Sequence, residues 1–308
     1  MEHGRGLLRI RGIVKEFAKI LAYLGAVLVG GALLAPALYG AAHALMAAGW
    51  LLVLKKYAFQ KYFNRAVLVV AVALFWPLVR WLGVRGWTPP AFRPDPLWRR
   101  RLWLGAGMGA GAMLVLAWGY LASGVYVWDA LPSTGVCFKV LFSAVTVAVL
   151  EESLFRGGIS GLLERARGRT VALWCTSGLF AMVHFLKPDP AVQVETVRWL
   201  SGFELVPHMF HQFAQPLLFL GGFGTLLVLG LVLGLAVQRT GSLWVSIGFH
   251  GGLVLVKLLF SKAAERKLEM LPWVGPELQI GLAPVAVLLF AGVVLWVMTK
   301  PEPSAKIV

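Results

Sequence analysis

The residues best suited to chemistry in this chain are five ionisable side chains set in apolar sequence: Glu151, Glu152 and Arg156, then His184, then His250. Ahead of the two carboxylates, Val140 to Leu150 carries no charge, and Lys139 is the nearest charged residue upstream. Ionisable groups at membrane depth are expensive unless paired, so their presence there is by default a functional hypothesis. Carboxylate and imidazole are the side chains of general acid–base catalysis and of metal ligation. A lone Glu-x-x-x-Arg reads equally well as a helix end with its charges among the headgroups, so the weight falls on where the helices put the other groups.

Composition sets those helices in a membrane. Of 308 residues, 59% are hydrophobic and 14% charged, and the mean hydropathy is +0.77. A soluble domain is nearer about half apolar and about a quarter charged. Thirteen Trp and 18 Phe suit interfacial belts and packed spans, and 35 Gly suit close helix contacts. The net charge of +15 does not indicate nucleic acid, because the basic residues fall in short stretches between apolar runs. These stretches are Arg5 to Lys15, Lys55 to Arg65, Arg99 to Arg101 and Arg165 to Arg169, a positive-inside pattern with attraction to anionic lipid. Cys137 and Cys175 both lie in apolar runs without Cys-x-x-Cys spacing and read as small core residues. The apolar run Ile20 to Leu54 is too long for a signal peptide's core and reads as an uncleaved anchor.

With about 20 apolar residues per crossing, eight spans are expected. They run over about Phe17–Tyr39, Ala66–Leu82, Leu102–Gly124, a stretch from Gly135 through Glu151, Thr170–Phe185, Pro216–Val237, Ser242–Phe260 and Ile280–Met298. Ala41 to Leu54 either extends the first span or lies at the interface, and the Pro- and Arg-rich stretch Gly83 to Arg101 is a loop. Loops at Gly83 to Arg101, Arg165 to Arg169 and Arg239 on the cytoplasmic side put both termini there, which leaves Lys55 to Arg65 on the wrong side. Tyr120, Tyr126 and Trp128 read as an interfacial belt. His208 and His211 read as two interfacial histidines on one helix face rather than a metal pair.

If the fourth and fifth spans form a hairpin turning near Gly168, Glu151 lies 17 residues before the turn and His184 lies 16 after it. At about 1.5 Å per residue the two then share a depth on neighbouring helices. Glu152 and Arg156 are four apart and can pair on one face, which leaves Glu151 chemically free. His250, in Gly248-Phe249-His250-Gly251-Gly252, adds a third polar group from the seventh span.

These residues carry a resemblance. Glu151-Glu152-x-x-x-Arg156, then Phe180-x-x-x-His184, then Thr240-Gly241-Ser242-Leu243-Trp244 leading to His250 are similar, in order and spacing, to the motifs of the CPBP family, the CAAX prenyl protease and bacteriocin-processing (ABI) intramembrane proteases. The resemblance covers roughly Ser133 to Val256. It implies an all-α polytopic membrane protein of about eight transmembrane helices with the active site between central helices. Its parts would be an N-terminal region 1–132, a protease-like core 133–260, and a C-terminal loop, helix and tail 261–308.

By the same resemblance Glu151 would be the base that activates water, His184 would assist it, and His250 would stabilise the oxyanion. Glu152, Arg156 and Phe180 would support the site. The expected activity is endopeptidase cleavage of a membrane-tethered protein or peptide, close to its C-terminus and in a bacterial inner membrane. The partners would be that substrate and the bilayer, with no nucleic acid. Older descriptions of the family invoke zinc, for which Glu151, His184 and His250 would be the ligands; the absence of His-Glu-x-x-His spacing favours glutamate–water chemistry without a cofactor. Many members carry a polar residue four positions after the last histidine, where this chain has Val254. Loss of one oxyanion donor costs about 10²–10³ in rate, unless Ser246 or Lys257 supplies one. That departure is also the sequence support for the alternative, an inactive relative acting as a membrane immunity or scaffold protein. A proton-relay transporter through Glu151 and His184 is a third, weaker reading.

Overall fold

The computed structural model describes residues 2–81, 94–268 and 270–299. Most of the loop expected at Gly83 to Arg101, up to Arg93, lies outside the described residues. Among the described residues, six helices are long and apolar enough to cross a membrane, and Arg169–Val183 and Leu282–Met298 are shorter apolar helices. The protein is an all-α, multi-pass membrane protein.

The chain packs as two compact units, Met1–Gly86 with His184–Ala214, and Trp87–Val183 with Gln215–Val308. In the first unit, α1 (Glu2–Ala47) and α2 (Phe59–Trp81) pair antiparallel. Gly30 and Gly31 of α1 face Val70 and Val67, and Tyr23 donates its hydroxyl hydrogen to the Ala71 carbonyl at 2.7 Å. Phe63, Ala32, Ala35 and Ala66 are fully buried at their contact. Helix α7 (Ser201–Leu205) closes on α1 so tightly that a Cβ on Gly202 would lie 2.0 Å from the Ala32 carbonyl oxygen.

Two span boundaries differ from the sequence expectation. Helix α1 continues through Pro36 to Ala47, so Ala41 to Leu54 splits into the end of that helix, a turn and a 3₁₀ segment at Leu52–Lys56. Helix α2 starts at Phe59 rather than Ala66, taking Lys61 and Arg65 into its first turns. Long basic side chains can reach water from a helix end, so their charge does not mark where a helix begins.

In the second unit, α3 (Trp98–Ala122) leads through strand β1 (Tyr126–Trp128) to α4 (Thr134–Glu152). A π-helical stretch, Ser153–Ile159, joins α4 to α5 (Ser160–Arg167), and Gly168, at φ 86°, turns the chain into α6 (Arg169–Val183). Helices α8 (Pro216–Thr240), α9 (Trp244–Ala263) and α10 (Leu282–Met298) complete the unit, with strand β2 (Ala264–Arg266) after α9. Burial corrects the aromatic belt. Tyr120 and Tyr126 are buried and stacked at 5.8 Å, and Tyr126 packs on Phe260, leaving only Trp128 exposed.

The tightest contact in this unit is the parallel crossing of α3 and α9. A Cβ built on Gly105 would lie 2.1 Å from the Val245 carbonyl oxygen, and one on Gly109 2.0 Å from that of Phe249. The reverse holds for Gly248 against Leu102 (2.1 Å) and Gly252 against Ala106 (2.2 Å). Two small-xxx-small faces therefore bring backbone against backbone, the contact that membrane helices use in place of a hydrophobic driving force. The pair is tied at both ends. Asp95, just before α3, accepts a hydrogen bond from the Ser242 hydroxyl at 2.6 Å, and β1 pairs antiparallel with β2, Tyr126 opposite Arg266.

Gly109→Ala should therefore lose about 1–3 kcal/mol of stability through overpacking. Gly107→Ala, on the same helix but with nothing within 4 Å, should be neutral or gain up to about 1 kcal/mol from helix propensity. Thermal unfolding of the detergent-purified proteins checks the contrast, and equal melting temperatures would show that the crossing is not what holds the unit.

Candidate active site

Glu151 and Glu152 are the last residues of α4, and Arg156 stands inside the π-helical turn that follows. A π turn widens the helix by one residue and recurs at functional sites. Here it buries Phe155, Arg156, Gly157 and Gly158 in succession.

Glu152 is sealed, with its side chain 0% exposed. Its Oε1 accepts from the Arg156 guanidinium at 2.8 Å and from His250 Nδ1 at 2.9 Å. Arg156 is held on its other sides as well. Its Nη2 donates to the Gly230 carbonyl of α8 at 3.4 Å, and its guanidinium lies 4.2 Å over the Phe180 ring and 5.9 Å from that of Phe155. The quadrupole of those rings attracts a cation most strongly where water is excluded. Phe180 also meets His250 edge to face at 5.9 Å.

The two carboxylates thus have unlike surroundings. Glu152 pairs with Arg156 and, as a carboxylate acceptor, takes a hydrogen bond from Nδ1 of His250. Nε2 is left on the Glu151 side, 3.9 Å from Glu151 Oε2. That gap is too long for a direct hydrogen bond. Glu151 is 24% exposed.

The sequence-predicted residues Glu151, Glu152, Arg156, Phe180 and His250 therefore come together in one unit. His184 immediately follows α6, opens the second stretch of the other unit, and is half-buried. Val254 stands one turn after His250 on α9. Neither substitute donor is idle: the Ser246 hydroxyl donates to the Leu243 carbonyl at 3.0 Å, and Lys257 Nζ pairs with Glu277 at 3.1 Å. His211 contacts the His208 carbonyl oxygen through Nδ1 at 3.1 Å, within the 3₁₀ turn Pro207–Ala214. Among the described residues no group of three or more His, Cys, Asp or Glu side chains is arranged to hold a metal ion.

Sequence reasoning missed Asp95. Its side chain is 5% exposed, and it accepts from Ser242, from the Leu97 N–H at 2.9 Å and from Arg101 at 2.9 Å. Gly241, at φ 64°, makes the αL turn that brings Ser242 into place, and Trp98 and Trp244 pack beside it at 5.1 Å. The Thr240–Trp244 motif is thus a fastening between the start of α3 and the start of α9, eight residues ahead of His250. The flanking prolines Pro94 and Pro96 signalled a turn, and nothing local could signal a partner 147 positions away.

Residues 133–256 match the family model for type II CAAX prenyl endopeptidases, Rce1-like. The chain carries a CAAX-protease-family domain. That family is one of membrane proteases, which supports, at family level, a peptidase with a protein substrate in a lipid bilayer. The matched segment contains α4 through most of α9, and so includes both carboxylates, Arg156, Phe180, His184 and His250. No curated protein and no solved structure matches the chain.

Two outcomes follow from the geometry. Glu152→Gln should cost about 3–5 kcal/mol, because it strands a buried guanidinium, and the double change Glu152→Leu with Arg156→Met should recover much of that loss in thermal unfolding. For Asp95, burial acts to raise the carboxyl, but the hydrogen bonds from Ser242 and Leu97 and the charge of Arg101 outweigh it and hold Asp95 below the ordinary carboxylate range. A carboxyl held low by folding adds stability above its unfolded pKa of about 3.9 and loses it as pH falls through the folded value. Wild type should therefore lose stability more steeply than Asp95→Asn between pH values of about 5 and 3. Parallel pH profiles would contradict the assignment.

Proposed function

We propose that the protein is an intramembrane endopeptidase in which Glu151 is the base that activates water against a peptide bond of a membrane-tethered substrate, close to its C-terminus. The observation that carries this reading is the division between two adjacent carboxylates. Glu152 is enclosed and tied to Arg156 and His250, whereas Glu151 is partly open and faces the free nitrogen of His250.

In this reading Glu151 takes a proton from water as its oxygen attacks the scissile carbonyl. His184, carried over from the family motif, orients that water. His250 acts as an imidazolium: its Nδ1–H stays bonded to Glu152 and its Nε2–H donates to the oxyanion of the tetrahedral intermediate. Collapse of the intermediate breaks the C–N bond, and Glu151 returns its proton to the leaving amine. Pre-set donors in a site shielded from bulk water lower the barrier because they need not reorganise as charge develops. Arg156 works through Glu152: it pairs with that carboxylate and so holds in place the acceptor that orients His250. In a bacterial inner membrane, the setting we propose, prenyl groups are not expected. The substrate there would be a peptide precursor, a C-terminal sorting tail or a membrane regulator.

Glu151→Gln and His184→Ala should each lower cleavage of a membrane-tethered reporter by about 10²-fold or more, with yield and melting temperature unchanged. Full activity in both variants would sink the reading. Val254, with no polar group at a position where many relatives have one, favours a second reading, an inactive relative that binds a membrane partner. Co-purification of a partner that survives Glu151→Gln, with no proteolysis by wild type, would establish it.

A further inference from the structure

A second built feature lies away from the carboxylates. Between α8 and α10 runs an apolar cavity of about 320 Å³, lined by residues that include Val228, Leu235, Leu289, Val293 and Trp296. Arg239 is the only charged residue in its wall among the described residues. Its guanidinium lies 3.9 Å over the Trp296 ring, and its Nε donates to the Thr299 carbonyl at 2.5 Å. The two terminal nitrogens of Arg239 have no partner among the described residues. The cation is thus held still at one end of the groove with its donors unspent.

We propose that this groove holds one acyl chain of an anionic phospholipid, with the headgroup phosphate on the Arg239 guanidinium. Length supports an acyl chain. From Val228 to Arg239 the α8 axis rises about 16 Å at 1.5 Å per residue, close to half of the roughly 30 Å hydrocarbon core and so to one leaflet. Charge selects the headgroup. Gln238 Nε2 donates to the Arg169 carbonyl at 2.8 Å, so Arg239 shares its end of the unit with the basic turn Arg165 to Arg169. A choline would bring a cation among those arginines, whereas a net-negative headgroup is drawn to them. The fork of a guanidinium also matches phosphate oxygens in pairs. This site is independent of the proteolytic reading.

Native mass spectrometry of the full chain, released from micelles holding equal phosphatidylglycerol and phosphatidylcholine, tests it. Wild type should retain phosphatidylglycerol preferentially, and Arg239→Gln should weaken that retention by about fivefold, the effect of one basic residue near the surface. Val293→Trp should expel both lipids by filling the groove from a position that is 62% exposed and tolerant of size. Glycerol phosphate, which has the headgroup chemistry without a chain, should not compete. Equal retention of the two lipids by wild type, unchanged retention in either variant, or displacement by glycerol phosphate would each overturn the proposal. Should Arg239→Gln fail to fold, the wild-type lipid ratio and the glycerol phosphate arm still decide.

Discussion

The second unit depends on a backbone-to-backbone contact between α3 and α9. Four glycines let the two parallel helices approach until no Cβ would fit between them. Inside a bilayer, apolar side chains gain little by leaving lipid for protein, so helices are held by close packing and by polar ties. This crossing has both. The Asp95–Ser242 bond fastens one end and the β1–β2 ladder the other, and His250 sits on α9 between Gly248 and Gly252. The position of the imidazole is therefore set by glycines that have no chemistry of their own.

That placement decides how the buried charges are shared. A carboxylate and a guanidinium in the interior are destabilising unless each is satisfied on all sides. Glu152 Oε1 and Arg156 meet that condition through a salt bridge, an imidazole, a backbone carbonyl and two aromatic faces, while Glu152 Oε2 has no hydrogen-bond partner among the described residues. The π-helical turn makes this possible, because it carries Arg156 inward directly after the paired glutamates. With Glu152 committed, Glu151 is the carboxylate left with solvent access. Two residues of the same type, adjacent in sequence, acquire different roles from their surroundings alone.

The unit that holds His184 is built on the same device. Gly30, Gly31 and Gly202 give α1 close contacts with α2 and α7, and short side chains such as Ala32 and Ala35 complete the seam. Glycine in this chain is chiefly a packing residue. At Gly49, Gly124, Gly168, Gly241 and Gly281, where φ is positive, its backbone freedom matters as well.

The sequence alone determined that the chain lies in a membrane, that it is helical, and roughly where its apolar helices run, because hydrophobic length and composition are local properties; six of the eight expected spans are long and apolar enough to cross among the described residues. It also picked out the ionisable residue types of the candidate site, since charge in apolar sequence stands out wherever it folds. Residue spacing paired Glu152 with Arg156 correctly, because a separation of four is a neighbour on any helix. Tertiary structure decided the rest. That His250 bonds to Glu152 rather than standing apart from it, that Asp95 fastens the motif Thr240–Trp244, and that Tyr120 and Tyr126 are buried all depend on contacts between distant segments. Such contacts follow from which helix faces carry glycine and how closely those faces dock, and helical periodicity within a single span does not encode its partner.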